Sequence, residues 1–270
     1  MSEYATAPRI RRAAAPATVG DFTGMRVAGR LAADTLDHIA RFVRPGVSTN
    51  DLDAECHAFI VARGGIPAPL HYCGFPKSIC TSVNHVICHG IPGDKVLHEG
   101  DIMNIDVTVI VDGWHGDTSR MYFAGDVGRK AARLCDVTYE AMMRGIGAVR
   151  PGATTGDIGH AIQAYAEAER TSVVREFCGH GIGLIFQGPE ILHYGEAGEG
   201  AVLAEGMCFT IEPMLNAGKA GIRMLADGWT AVTRDRSLSA QFEHTIGVTA
   251  DGYEIFTRSA SGRDRPPYAD

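Results

Sequence analysis

Four acidic residues and one histidine of this chain could together carry out metal chemistry. Asp106, Asp117, Glu212 and Glu243 lie in or beside apolar runs, and His180 lies between two glycines. Buried carboxylates repel one another unless a cation lies between them. Such an oxygen-rich set with one imidazole suits Mn, Fe, Co or Zn better than a structural zinc site built from cysteines. Two divalent ions would balance the charge of the four acids, and paired ions can activate water and polarise a carbonyl group.

The dipeptide Asp112-Gly113 lies between two apolar runs and predicts a two-residue hairpin turn. In such a hairpin Thr108 pairs with Asp117, and Asp106 lies diagonal to Asp117 on the same face. Their Cα atoms are then about 7–8 Å apart or closer. The neighbouring apolar residues favour burial of this pair, while two solvated carboxylates at a sheet edge are the alternative interpretation.

The chain contains an internal repeat. The segment 43–46 returns as 149–152, and the segment 96–106 returns as 202–212, so both copies are 106 positions apart (149 − 43 and 202 − 96). Each copy of the longer segment ends in a carboxylate. Two carboxylates at matching places in related halves could face each other across a pseudo-twofold axis, which suits a site built between the halves.

Helices are predicted to precede each group of strands. The apolar spacing and the glycine and proline breaks predict helices over residues 21–42, 50–63, 127–148 and 155–168, with Thr49 and Thr155 at two of the starts. Strand-like runs follow at Ile79–Val83, Ile102–Val111, Trp114–Phe123, Val173–Phe177, Met207–Met214, Gly228–Thr233, Phe242–Thr249 and Glu254–Thr257. This order predicts an α+β fold. We expect one catalytic domain over 21–258, with halves of about 21–126 and 127–258.

The composition of the chain restricts the class of protein to which it can belong. Of the 270 residues, 45% are hydrophobic and 21% are charged, as in soluble globular proteins. The net charge of −7 argues against general nucleic-acid binding. No apolar run reaches about 18 residues, and residues 1–20 lack the apolar core of a secretory signal. We therefore expect a cytoplasmic protein with reduced cysteines, no membrane contact, a disordered tail over 1–20 and a loose tail over 259–270.

Six groups of residues, taken in order, resemble the type I methionine aminopeptidases. They cover roughly residues 21–258 and are Lys77–Asn84 with Cys88–Pro92, Asn104–Thr108, His115–Ser119, Gly179–Gly183, Phe209–Met214 and Ser239–Thr245. The resemblance implies the pita-bread fold, a pseudo-symmetric α+β arrangement with a dinuclear metal site between its halves. It also implies a metallopeptidase that removes N-terminal methionine from nascent proteins. We expect the protein to be a monomer.

The resemblance assigns roles to particular side chains. It implies that Asp106, Asp117, His180, Glu212 and Glu243 hold two divalent ions. Glu212 is implied also as the base that activates water, and His89 as a residue that contacts the substrate. The implied pocket for the methionine side chain is lined by Tyr72, Phe75, Cys80, Phe186 and Trp229. Such apolar and sulfur-bearing groups suit a flexible thioether.

One loop departs from the family pattern. The family has two residues after Gly-His-Gly-Ile-Gly and then Phe-His-Glu-x-Pro, whereas this chain has Phe186-Gln187-Gly188-Pro189. The loop is one residue shorter and lacks the second histidine, which in the family helps to hold the substrate carbonyl. We expect Gln187 to bind substrate in its place, because an amide can donate a hydrogen bond although it cannot titrate.

Two other functions remain open at this point. A related peptidase that cleaves x-Pro dipeptides is one, although the segments Ser82–Asn84 and His115–Asp117 disfavour it. A protein that binds polypeptide N-termini without cleaving them is the other, and only Gln187 supports it. The expected partners are the N-terminal segments of nascent polypeptides, and the arginine-bearing tail is a candidate contact to the ribosome.

Overall fold

Four α-helices, two short 3₁₀ helices (Ala40–Phe42 and Tyr72–Gly74) and fifteen strands are present in the computed structural model, which describes residues 15–268. The helices are α1 (Thr23–Ile39), α2 (Thr49–Val61), α3 (Arg129–Gly147) and α4 (Thr155–Ala168). All four predicted helices are present. The predicted start of α4 at Thr155 is confirmed, whereas the cap of α2 is Ser48 rather than the predicted Thr49. Ser48 and Thr154 cap the two helices, and each accepts the N–H of an aspartate three residues later, which returns the bond in a capping box.

The strands pair with antiparallel neighbours. They are β1 (Ile66–Pro67), β2 (Cys80–Val83), β3 (Val86–Cys88), β4 (Asp101–Val111), β5 (Trp114–Ala124), β6 (Ser172–Val173), β7 (Gly179–His180), β8 (Glu190–Ile191), β9 (Cys208–Ile211), β10 (Met214–Asn216), β11 (Ile222–Met224), β12 (Ala231–Thr233), β13 (Ser239–Gln241), β14 (His244–Val248) and β15 (Tyr253–Ile255). Together with the helices, this antiparallel pairing confirms the α+β class.

Two predicted strands differ from the structure. The predicted strand Val173–Phe177 is strand only in β6, after which the chain leaves the sheet. The predicted strand Met207–Met214 is divided into β9 and β10 around Glu212 and Pro213. Because proline has no N–H to donate, it interrupts a ladder at this point.

The predicted hairpin is confirmed in its register. Val111 pairs with Trp114, and Thr108 pairs with Asp117. Asp112 and Gly113 have φ angles of 49° and 85°, as a type I′ turn requires. Since Asp106 lies opposite Ser119, its carboxylate is diagonal to that of Asp117 on one face of the hairpin.

Matching backbone hydrogen bonds recur in the two halves of the chain. At 106 positions apart, the structure contains the pairs Gly46 N–Leu97 O and Gly152 N–Leu203 O, Thr49 N–Lys95 O and Thr155 N–Ala201 O, and Asn50 N–Gly93 O and Gly156 N–Glu199 O. In each half, the segment that leads into β4 or β9 is therefore tied to the start of that half's second helix. The repeat in the sequence thus has a counterpart in the backbone.

The two halves meet along β5 and the residues that precede and begin β14. Thr118 Oγ1 donates to Glu243 O at 2.7 Å, and Thr245 Oγ1 donates to Asp117 O at 2.7 Å. Glu243 also forms a bridge with Ser119. Each half packs its helices on its own buried core. This junction brings Asp117 of the first half beside Glu243 of the second.

Both predicted tails require correction where the structure describes them. The N–H of Val19 bonds to Gly206 O at 2.8 Å and Thr18 forms a bridge with Met207, so this part of the tail is bound to the second half, while residues 1–14 lie outside the described residues. The segment 259–268 is not loose: Tyr268 donates its hydroxyl hydrogen to Met121 O at 2.7 Å, and Ser259 donates to Asp37 at 2.8 Å. The buried guanidinium of Arg120 contributes, because it donates to a main-chain carbonyl of this segment at 2.9 Å.

No helix within residues 15–268 is both long enough and apolar enough to cross a bilayer.

Candidate active site and metal centre

Five side chains from five places in the chain converge at the junction of the halves. Asp106 lies in β4, Asp117 in β5 and His180 in β7, while Glu212 directly follows β9 and Glu243 lies between β13 and β14. Donor atoms of Asp117, His180 and Glu243 all lie within 4.8 Å of one another. His180 Nε2 is 3.5 Å from Asp117 Oδ2 and 3.7 Å from Glu212 Oε1. The predicted set is thus brought together from residues that are far apart in sequence.

The carboxyl groups of this site are buried and close to one another. Burial raises the pKa of Glu212 to about 7 and the pKa values of Asp106 and Glu243 well above their usual range. The charge of Asp117 acts in the same direction as burial on all three pKa values. Burial alone would lower the pKa of His180, but its bond to Asp117 and the charge of Glu212 outweigh burial and raise it. Protons therefore take the place of a cation when none is bound.

The chemistry of this donor set fits divalent ions. Carboxylate oxygens and one imidazole nitrogen are ligands for Mn, Fe, Co and Zn, and the negative charge is concentrated where a cation would remove the repulsion. The three donors that lie within 4.8 Å of one another are Asp117, His180 and Glu243. Glu212 Oε1 lies 3.7 Å from His180 Nε2, and Asp106 lies diagonal to Asp117 in the β4–β5 hairpin, so both acids adjoin this set.

Hydrogen bonds from neighbouring side chains orient two of the acids. Thr108 Oγ1 donates to Asp117 Oδ1 at 2.7 Å, which leaves Oδ2 facing His180. Thr210 Oγ1 donates to Glu212 Oε1 at 2.7 Å, and Gln241 Nε2 donates to Oε2 of the same residue at 3.3 Å. Such partners fix the direction of a ligand before a metal arrives.

His89 lies at the end of β3, beside the five residues. Its backbone is in the left-handed region, with φ of 55°, which turns the ring out of the strand direction. The ring is 5.2 Å from that of Phe177 and 6.1 Å from that of Trp229, measured between centroids. Burial lowers the pKa of His89 to about 4, although the charge of Asp117 opposes this. The imidazole is therefore neutral at neutral pH.

Aromatic pairs connect the predicted pocket residues to the site. The rings of Phe75 and Trp229 are 5.2 Å apart, and those of Tyr72 and Phe186 are 4.7 Å apart. The ring of Phe186 is also 6.2 Å from that of His180. Cys80 is buried and pairs directly with Asp106 across β2 and β4. These placements suit an apolar pocket next to the acids, and the role of each residue stays a prediction.

Gln187 occupies a different environment from the residue before it. Its side chain is exposed, and within residues 15–268 its amide forms no hydrogen bond. Phe186 instead contacts the site, with its ring stacked on His115 at 5.6 Å. The role of Gln187 in holding a substrate carbonyl therefore stays a prediction.

Several supporting residues were not singled out from the sequence. The predicted hairpin register placed Thr108 opposite Asp117, but the hydrogen bond of its hydroxyl group to that carboxylate was not inferred. Thr210 and Gln241 lie two residues before the predicted ligands Glu212 and Glu243. Because side chains two positions apart share one face of a strand, this spacing could have indicated them. His193, whose Nε2 accepts the backbone N–H groups of Gly179 and Glu212, has no such signal, because these bonds join distant segments.

Comparison with known proteins supports the geometry. The model of metallopeptidase family M24 matches residues 23–250. The chain is 63% identical over 253 residues to the methionine aminopeptidase of Rickettsia prowazekii, covering 93% of this chain and 98% of that protein. It is 54% identical over 243 residues to the methionine aminopeptidase of Escherichia coli K12, covering 89% and 92% respectively. The crystal structure of the Rickettsia prowazekii protein matches with a TM-score of 0.88, covering 90% of this chain and 99% of that chain.

These likenesses confirm the resemblance that the six sequence segments suggested and the pita-bread arrangement of the fold. A divalent metal requirement follows from the metallopeptidase family together with the buried acidic cluster. The matching family model spans most of the chain, and both relatives are more than half identical to it. The chain therefore belongs to metallopeptidase family M24.

Proposed function

We propose that this protein is an aminopeptidase that removes N-terminal methionine from polypeptides by metal-assisted hydrolysis. The observation that carries the proposal is the convergence of Asp117, His180 and Glu243 within 4.8 Å, beside an aromatic pocket. Membership of a metallopeptidase family and high identity to two methionine aminopeptidases support the same reaction and the same substrate class.

The five ligand side chains are proposed to hold two divalent ions. Asp106, Asp117, His180, Glu212 and Glu243 supply four carboxylates and one imidazole, a set that matches the charge of two dications. When bound, the ions supply Lewis acidity that activates water and polarises the first peptide carbonyl. Mn, Fe, Co and Zn all suit these donors, and metal-dependent rates would distinguish among them.

The protein's own groups are proposed to move and hold protons. The carboxylate of Glu212 lies beside the donor set, so it can accept a proton from the attacking water. It can then deliver that proton to the leaving amine. The neutral imidazole of His89 can donate a hydrogen bond to the substrate amide, because burial keeps it unprotonated.

The pocket is proposed to select methionine. Phe75 is only 2% exposed and Cys80 only 7%, so both side chains present apolar surface that is shielded from solvent. A thioether is polarisable and flexible enough to pack against aromatic rings and sulfur. A charged first residue would lose its hydration there without gaining a partner, and it should therefore be rejected.

The experiment compares three substrates with and without metal. Chelated protein, and the same protein with added Mn²⁺ or Co²⁺, is incubated with Met-Ala-Ser, Lys-Ala-Ser and an x-Pro dipeptide, and free amino acid is measured. The proposal expects metal-dependent release of methionine alone. Preferred cleavage of the x-Pro substrate would favour the dipeptidase alternative, and binding without turnover would favour the non-cleaving alternative.

Partners and location follow from this reaction. We propose that the substrates are N-terminal segments of nascent polypeptides and that the protein acts in the cytoplasm as a monomer, without a membrane or a specific nucleic acid. Contact with the ribosome through the arginines of residues 9–12 is a separate proposal. Co-sedimentation of the full chain with ribosomes, compared with a chain lacking residues 1–14, would test that contact.

A further inference from the structure

His193 links two ligand-bearing segments through one nitrogen. The residue follows β8 by two positions and is fully buried. Its Nε2 accepts the backbone N–H of Gly179 at 3.2 Å and the backbone N–H of Glu212 at 3.1 Å. Since both partners are donors, Nε2 must carry the lone pair, and the proton of the neutral ring is on Nδ1.

Both donors belong to the metal site. Glu212 is itself a ligand, and Gly179 directly precedes the ligand His180. The strand before Glu212 ends at Ile211, so the N–H of Glu212 lies beyond the last residue of β9. His193 accepts the hydrogen bond of this N–H. A buried N–H without an acceptor is costly, and satisfying the two donors is the minimum role that His193 has.

The two hydrogen bonds to Nε2 also give His193 a second role, besides satisfying the two donors. A single acceptor that binds two segments also couples the positions of those segments. The side chains of His180 and Glu212, which those segments carry, lie 3.7 Å apart. A second tie runs in parallel, because Thr210 Oγ1 accepts the N–H of His180 at 2.9 Å and donates to Glu212 at 2.7 Å.

We propose that His193 is a positioning residue of the metal site, which sets the spacing of His180 and Glu212 through their backbones. It touches neither metal nor substrate. Removing the partners that orient metal ligands typically costs roughly 10–100-fold in metal affinity or activity. This inference rests on the metal site proposed above.

Two variants separate positioning from packing. His193→Leu removes the acceptor and keeps an apolar side chain in the buried space. His193→Gln keeps an acceptor, because its Oε1 can take the place of Nε2. The matched control is Thr171→Val, which removes a buried bond from Thr171 Oγ1 to Ala166 O at 2.8 Å, in the same half but away from the ligands. Mn²⁺ is titrated into each apo-protein by calorimetry, and kcat, KM and apo-protein thermal stability are measured.

The proposal expects a specific pattern. His193→Leu should bind Mn²⁺ roughly 10–100-fold more weakly, with a reduced kcat and little change in KM. His193→Gln should recover most of both losses, and Thr171→Val should lower thermal stability without changing Mn²⁺ affinity. Unchanged Mn²⁺ affinity and kcat in His193→Leu would overturn the proposal and leave only a packing role.

Two further outcomes are also decisive. If His193→Leu does not fold, His193→Asn replaces it, since its shorter amide cannot reach both N–H groups, and affinity equal to that of His193→Gln would then overturn the proposal. If the unaltered protein binds no Mn²⁺, the proposed metal site itself is wrong. If the unaltered protein and the His193 variant bind Mn²⁺ equally well, only the proposed role of His193 is wrong.

Discussion

The free energy of unfolding of the metal-free protein should decrease as pH rises from about 5 to about 8. In the folded apo-protein, burial raises the pKa of Glu212 from 4.5 to about 7. Between these values the unfolded chain loses a proton that the folded protein keeps, so the free energy of unfolding decreases with pH. The raised pKa values of Asp106 and Glu243 act in the same direction. His180 does too, because stabilisation by a raised histidine pKa is present below its unfolded pKa and is lost as pH rises through the folded one.

The size of the effect follows from the shift of one residue. The change from 4.5 to about 7 at Glu212 is about 2.5 pH units, and each unit corresponds to about 1.36 kcal/mol. Glu212 alone therefore costs the apo-protein about 3 kcal/mol of stability at pH 8 relative to pH 4.5. For a chain of this size this corresponds to a decrease in Tm of roughly 6–12 °C. A bound dication removes the cost, because it replaces the protons.

The assay is urea unfolding of chelated and Mn²⁺-loaded protein at pH 5, 6, 7 and 8. Groups outside the site titrate in both forms, so the difference in unfolding free energy between the forms isolates the site. That difference should grow with pH by about 3 kcal/mol or more. In apo-protein carrying Glu212→Gln, the decline with pH should be smaller. A difference that stays constant or shrinks as pH rises would refute the reasoning.

Three further predictions concern the end of the chain, the pocket and the shortened loop. Tyr268→Phe should lower the free energy of unfolding by about 1 kcal/mol in urea, because it removes one partly buried hydrogen bond, whereas Tyr253→Phe at an exposed position should not. Cys80 should react with iodoacetamide more slowly when a methionine-like inhibitor is bound, as mass spectrometry of the labelled peptide would measure. Replacing Gln187 with His and inserting one residue before Pro189 should raise kcat on the order of tenfold, because an imidazole can carry a positive charge near the reacting oxygen.

For each of these three predictions, one result would contradict the reasoning. Equal stability losses in the two tyrosine variants would mean that the Tyr268 hydroxyl does not anchor the segment 259–268. Inhibitor-independent labelling of Cys80 would place that residue outside the methionine pocket. An unchanged or lower kcat in the loop variant, with its metal content intact, would show that Gln187 does not stand in for the missing histidine.

The local parts of this site could be predicted from sequence. The dipeptide Asp112-Gly113 determines the register of its hairpin, and register places Asp106 diagonal to Asp117. The repeat likewise indicated that Asp106 and Glu212 occupy matching places in two halves. Both inferences depend on short-range rules of strand pairing and side-chain alternation, which the chain obeys locally.

The long-range parts could not be predicted in the same way. The segment 259–268 is rich in polar residues and proline, but its docking depends on the buried Arg120 and on Tyr268, whose partners are far away in sequence. The bonds of His193 to Gly179 and Glu212 similarly exist only after β7, β8 and β9 have come together. The exposure of Gln187 depends on a loop with no periodic pattern from which its direction could be inferred.

The central claim is that two halves of one chain together hold two divalent ions. The most direct test is an anomalous difference map from crystals of the protein loaded with Mn²⁺ or Co²⁺. We expect two peaks roughly 3.5–4 Å apart, enclosed by Asp106, Asp117, His180, Glu212 and Glu243. A single peak, or peaks bound by other residues, would contradict the claim.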